Sequence, residues 1–202
     1  MNDLGAEKQV PYMEDEEVKR WADKFIKDNW RKDYPIDVEE VCDNLGISVI
    51  PIIDLKKLLN IDAYTTSDFK TIVIDDDCFN NNLNRCRFSI AHELGHVVLH
   101  KEYYPTNIKD VETCLKYSRF FSNKRVEIQA NVFAANLLMP RDEFDAQLRK
   151  YFGDDILYGL ENSSNSERLD AMTCISNYFK VSGRSVGYRI SNLYPEILAV
   201  LG

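Results

Sequence analysis

The sequence predicts an α+β fold, mostly helical, with a small sheet of about three strands beside one central, buried helix. Three observations predict it. Apolar residues recur at helical spacing over 14–30, 87–100 and 126–139. Short β-branched runs cluster between residues 47 and 75. Beyond them the readable patterns are helical, so strands gather early and helices follow.

In chain order, residues 1–11 are polar and read as loose. From Glu14 to Trp30, Val18, Trp21, Ala22, Phe25, Ile26 and Trp30 form one stripe of an amphipathic helix. The acidic run Glu14–Glu17 suits the positive end of that helix's dipole, and the stripe is expected to pack on the core. Asp37 to Asn44 reads as a helix, with Asp37 as N-cap, Glu40 as capping-box partner and Gly46 just past the end. Ile47 to Ile50 alternates and reads as a strand, which Pro51 either stops or confines to a sheet edge. A short helix is expected over Leu55 to Asn60, then strands over Ala63 to Thr66 and Thr71 to Asp75. One of these two strands, 71–75 or 63–66, is expected to offer an open edge. Asp75–Asp77 and Asn80–Asn82 read as a solvated turn and loop, and Asn84 as the cap of the helix that follows.

That helix is the centre of the chain. Arg87 to His100 reads RFSIAHELGHVVLH and holds all three histidines of the protein. His92 and His96 are four apart, so both imidazoles lie on one helical face and can point at one Zn²⁺. Glu93 beside them completes an H-E-x-x-H pattern, where a carboxylate can hold the metal's water as general base. The surrounding residues are nearly all apolar, so a solvated helix with a chance match is the weaker reading. A catalytic zinc usually takes three protein ligands. His100 lies eight residues beyond His92, a rise of about 12 Å, too far along a straight helix to share the ion. It reads instead as a polar residue at the helix C-terminus, where positive charge is favoured.

The third ligand is therefore expected to be a carboxylate. Glu127 borders the apolar face of the helix over Val126 to Met139, and Asn131 lies one turn further on the same side. That places Asn131 to accept the free N–H of a liganded histidine. The connection from Lys101 to Ser118 has no readable periodicity, so Asp110 and Glu112 remain outside candidates for the ligand. Tyr103, Tyr104 and Tyr117, on the same connection, are candidates to hydrogen-bond an oxyanion, with packing as the competing use. Pro140 starts another helix, Asp142 to Tyr151, with Phe144, Leu148 and Tyr151 on one side. Glu161 to Ser166 reads as a polar loop and the boundary of a C-terminal piece.

Length fits one domain with a small appendage: 1–160, with its core at 36–140, and a helical, helix-turn-helix-like 161–202 packed on it. The net charge of −8 gives no general basic footprint for nucleic acid. Over 166–202, Arg168, Lys180, Arg184 and Arg189 stand against Glu167, Asp170 and Glu196, too little positive charge to engage phosphates, so direct DNA binding is not expected. Five cysteines at irregular spacing suggest neither a disulfide framework nor a Cys-zinc site. No signal peptide or membrane span is recognisable, and a cytoplasmic setting is expected.

The run Arg87-Phe-Ser-Ile-Ala-His-Glu-Leu-Gly-His96, followed by Glu127-x-x-Ala-Asn-x-Phe-Ala-Ala-x-Leu-Leu-Met-Pro140, resembles the ImmA/IrrE family of zinc metallopeptidases. The likeness is best over 36–140 and weaker near 178–193. It implies a gluzincin-like site with His92, His96 and Glu127 as ligands of Zn²⁺ and Glu93 as the catalytic carboxylate. It further implies an endopeptidase that cuts a helix-turn-helix repressor encoded nearby, as an anti-repressor of a mobile element, phage or stress regulon. The alternative is a catalytically silent module of the same fold that binds a repressor or DNA.

Overall fold

The computed structural model describes residues 10–117 and 123–197. The expectation for residues 1–9, and the end of the 101–118 connection at Ser118, lie outside the described residues. Helix α1 (Asp15–Asn29) and helix α2 (Val38–Asn44) precede strand β1 (Ser48–Ile52). Helix α3 (Leu55–Leu59), strand β2 (Ala63–Thr65) and strand β3 (Thr71–Asp75) follow, then α4 (Asp76–Asn81) and α5 (Leu83–Leu99). The chain continues through α6 (Val111–Lys116), α7 (Lys124–Leu138), α8 (Arg141–Phe152), α9 (Ile156–Asn162), α10 (Asn165–Phe179) and α11 (Gly183–Leu193). It is a mostly helical α+β fold with one small mixed sheet.

The strand order is β1-β3-β2, with β1 parallel and β2 antiparallel to β3. Residues 71–75 therefore cannot offer an open edge, because both sides of β3 are paired. Only β2 remains as the edge nearest the central helix. Pro51 lies inside β1 at the opposite edge, where its missing N–H costs no ladder bond. β3 is buried on both faces: Ile72 and Ile74 point into the main core, and Val73 into a second cluster with Leu55, Tyr64, Tyr104 and Ile108. That second cluster explains why the segment after His100 is not a free loop. It roofs the outer face of the sheet, pinned by Tyr104 Oη donating to Thr65 O (2.8 Å) and Ser67 N donating to Ile108 O (2.9 Å).

Other local expectations are corrected by hydrogen bonding. Asp75 is buried, accepts from Lys56 N (2.8 Å) and Cys78 N (3.3 Å), and caps α4, so the acidic run starts a helix instead of a solvated turn. Asn82, not Asn84, caps α5 by accepting from Arg85 N; Asn84 reaches across to Val181 O. Asp37 caps α2 as expected, but Glu40 pairs with Lys32 instead of closing a capping box. Asp110 and Thr113 form a capping box that starts α6 within the stretch that showed no periodicity. The polar run 161–166 is largely the end of α9 and the start of α10, with Ser164 and Glu167 forming another capping box. On α8 the buried apolar residues are Phe144, Leu148 and Phe152, while Tyr151 faces solvent, one step off the apolar stripe. Trp21 is likewise exposed, and Val18 and Ala22 carry the burial of α1.

Helices α5 and α7 pack together through Gly95. A Cβ there would lie 3.1 Å from Ala130 Cα and 3.2 Å from Ala130 O, so glycine sets how closely the two backbones approach. Alanine at this position gains helix propensity of about 1 kcal/mol but must push a helical backbone away. Gly95→Ala is expected to destabilise the fold by about 1–2 kcal/mol in denaturant titration. It should also weaken metal binding, because the spacing of α5 and α7 sets the distance between the histidines and Glu127. A variant as stable as the parent, with the same metal affinity, would contradict this account.

Candidate metal centre

The central helix presents His92, Glu93 and His96 to one cavity of about 220 Å³, bordered by Ala63 of β2 and by Glu127 and Asn131 of α7. The donor atoms converge. His92 Nε2 and His96 Nε2 are 3.0 Å apart, and Glu127 Oε2 and Oε1 lie 3.2 and 3.6 Å from them respectively. One ligand atom from each of the three residues lies within 4.8 Å of the others. Two imidazole nitrogens and a carboxylate oxygen form a donor set that suits a divalent transition ion such as zinc. Glu127 Oε1 is buried with no hydrogen-bond partner, an atom that a cation in this cluster would satisfy. Asp110 and Glu112 are not brought to the cluster: Asp110 caps α6, and exposed Glu112 accepts from Lys116 Nζ at 2.9 Å.

Each histidine is oriented from behind. His92 Nδ1 lies 3.0 Å from Asn131 Oδ1, which accepts its hydrogen and leaves Nε2 facing the cavity. His96 Nδ1 lies 2.9 Å from His100 Nδ1, and His100 Nε2 lies 2.9 Å from Gln129 Oε1. Gln129 Nε2 in turn donates to Pro11 O at 3.0 Å. This chain has one consistent direction. If His96 offers the lone pair of Nε2 to the cavity, its Nδ1–H donates to His100, which donates to Gln129, which donates to the backbone. His100 is fully buried, not a charged C-terminal residue; burial pushes its pKa down and keeps it neutral. Burial, then the neighbouring His92 and His100, hold His96 neutral as well.

Replacing His100 with phenylalanine removes the acceptor from His96 Nδ1 while keeping an apolar ring in the space. The expected result is a loss of about 10–100-fold in zinc affinity, measured by chelator competition. An intact fold with unchanged affinity would show that the relay has no influence on the imidazole in front of it.

Glu93 is buried, and burial raises its carboxyl to about 7. The positive character of His92 and a hydrogen bond from Thr65 Oγ1 to Glu93 Oε2 (2.8 Å) pull the other way. Thr65 is thus a part of the site with no local signal in the chain, since the contact joins residues 28 apart. Of the three tyrosines considered, none borders the cavity. Tyr104 lies behind His96, with ring centroids 6.0 Å apart, and its hydroxyl hydrogen is committed to Thr65 O.

The edge of β2 is open over a single residue. Asp75 N donates to Asp62 O and Thr66 N to Thr71 O, so even-numbered residues of β2 bond to β3. Main-chain groups of Ala63 and Thr65 therefore point the other way. The carbonyl of Thr65 is taken by Tyr104, which leaves Ala63 beside the cavity as the available edge. Asp62, the preceding residue, is clamped by Arg85 of α5 through bonds of 2.7 and 3.1 Å, which holds this strand end against the metal helix.

Among curated proteins none matches the chain. A solved structure named Mycobacterium tuberculosis transcriptional regulator is similar in fold, with a TM-score of 0.54 at 16% identity. The likeness covers 89% of this chain and 47% of that one, so the chain spans about half the length of that protein. Among the described residues no helix is long and apolar enough to cross a membrane. Residues 42–191 match the family model described as the IrrE N-terminal-like domain, a peptidase family. With that match spanning most of the chain, including the central helix and α7, this protein belongs to the ImmA/IrrE family and carries its metallopeptidase-like domain.

Proposed function

We propose that this protein is a zinc-dependent endopeptidase in which His92, His96 and Glu127 hold the ion and Glu93 handles the protons. The observation that carries the reading is the convergence of the three donor groups around an unsatisfied Glu127 oxygen, with Glu93 in the same cavity. A bound Zn²⁺ supplies Lewis acidity toward the scissile carbonyl and lowers the pKa of water. Glu93 takes a proton from the attacking water and passes it to the leaving amine. A pKa raised toward neutrality by burial suits a group that must both accept and release it. Thr65 fixes the orientation of the Glu93 carboxylate. Ala63 pairs with the main chain of an extended substrate, aligning it along the cavity.

The substrate we assign is a helix-turn-helix repressor encoded nearby, with the protein acting as an anti-repressor of a mobile element, phage or stress regulon. The family membership supports this reading, and the name of the similar solved structure fits a setting in gene regulation. In this scheme 1–160 carries the chemistry and 161–202 is a helical, helix-turn-helix-like piece packed on it. The test is incubation of the zinc-loaded protein with that repressor, with and without a chelator. Metal-dependent fragments are expected. Stable binding without fragments would replace the peptidase with a silent binding module.

A further inference from the structure

A second cavity of about 470 Å³ adjoins the metal cavity and shares Phe88 and Asn131 with it. It lies between α7 and α11. Its apolar wall includes Val132, Ala135 and Met139. Its polar wall comes from α11: Ser182 and Ser185 at the helix N-terminus, then Arg184 and Arg189. No aspartate or glutamate lines it. In a chain of net charge −8 this is a local reversal of sign.

Arg189 is the telling residue. It is only 5% exposed, yet among the described residues it makes no salt bridge. Its Nη2 donates to Asn136 Oδ1 (2.8 Å) and Met139 O (3.0 Å), which ties α11 to the end of α7. That structural role leaves Nε buried with no partner. Burial lowers its pKa to about 10, which still leaves a cation at neutral pH. Asp145, Asp23 and Glu16 act on it without forming a direct ion pair, and a carboxylate entering the chamber would supply one. The N-terminus of α11, where Ser182 and Ser185 line the chamber, adds partial positive charge.

We propose that this chamber receives an acidic side chain of the polypeptide held in the adjoining metal cleft, and so selects substrates with a glutamate or aspartate near the scissile bond. The proposal deepens the peptidase reading above and rests on it for the word substrate. The apolar wall suits the methylenes of the side chain, and the arginines suit its carboxylate. Arg184 is exposed at the cavity mouth, so its replacement tests the charge without disturbing the tie made by Arg189.

Two measurements decide it. In the first, zinc-loaded Glu93→Gln protein is titrated with a short acidic peptide and with the same peptide carrying glutamine for glutamate, followed by amide NMR. Saturable shifts at Asn131, Ser182 and Ser185 are expected for the acidic peptide. Binding about tenfold weaker is expected for the glutamine peptide, and for the acidic peptide on an Arg184→Glu background. In the second, the zinc-loaded protein is given a peptide library, and cleavage sites are read by mass spectrometry. Enrichment of acidic residues at one position is expected, shifting toward basic residues in Arg184→Glu. Cleavage without an acidic preference would overturn the chamber and leave the peptidase standing. Acid-selective binding with no cleavage of any peptide would keep the chamber and remove the peptidase. Equal binding of the two peptides would overturn the chamber outright.

Discussion

Glutamine in place of Glu93 is expected to abolish cleavage and leave zinc bound. The two side chains have nearly the same shape, and the amide oxygen of glutamine can still accept the hydroxyl of Thr65. The amide cannot take a proton from water or return one to the leaving amine. Loss of that general acid–base contribution costs about 10²–10⁴-fold in rate. Zinc affinity, measured by chelator competition, should stay within a few-fold of the parent, because Glu93 is not one of the three converging donors. Stability should hold or rise, since a buried carboxyl is replaced by a neutral group. A variant that cuts the repressor at the parental rate would end the proposed chemistry. A variant that loses zinc would move Glu93 into the ligand set.

The second large effect is expected on removing Glu127. It is the one anionic group among the three donors, and it comes from α7 while both histidines come from α5. A ligand bound only by the folded state stabilises it by RT ln(1 + [L]/Kd), about 4 kcal/mol at a thousandfold excess over Kd. The parent should therefore melt at a markedly higher temperature with zinc, and a chelator should reverse the shift. Glu127→Ala should lose at least ~100-fold in affinity, and most of the zinc-induced rise in Tm with it. Its metal-free form should melt near the parental temperature, because Glu127 is partly exposed and gives up only the contact of its Oε2 with His92 Nε2 (3.2 Å). Equal stabilisation of variant and parent by zinc would remove Glu127 from the site.

These two experiments probe different kinds of knowledge. The pairing of His92 with His96 was legible at once, because neighbours on a helix are fixed by four residues of spacing whatever the rest of the chain does. Glu127 needed two further steps, an apolar face on a second helix and the absence of another histidine. The distance between those helices depends on Gly95, whose packing role no local pattern reveals. Asn131 was reachable from Glu127 by one helical turn. Thr65 and Gln129 were not reachable at all. Both contacts join residues far apart in sequence, at 28 positions for Thr65 with Glu93 and 29 for His100 with Gln129.

His100 shows how a correct geometric argument can still misread a residue. Its rise along the helix does keep it away from the shared donor cluster. The expectation of a positively charged residue at the helix C-terminus failed because His100 is buried between His96 and Gln129 of α7. The strand edge went the same way. Pattern alone placed both 63–66 and 71–75 in the sheet, but strand order is a property of the whole path, and of these two it put β2 at an edge and β3 in the centre.

The sequence by itself determined the longer helices, the strands and the H-E-x-x-H face, since those follow from periodicity and capping within a few residues. Only the tertiary structure decided which carboxylate meets the histidines, which groups stand behind them, which strand edge stays open and where Arg189 is buried. Those depend on contacts between distant residues, and such contacts are set by how close-packed elements share one core, not by any local spacing.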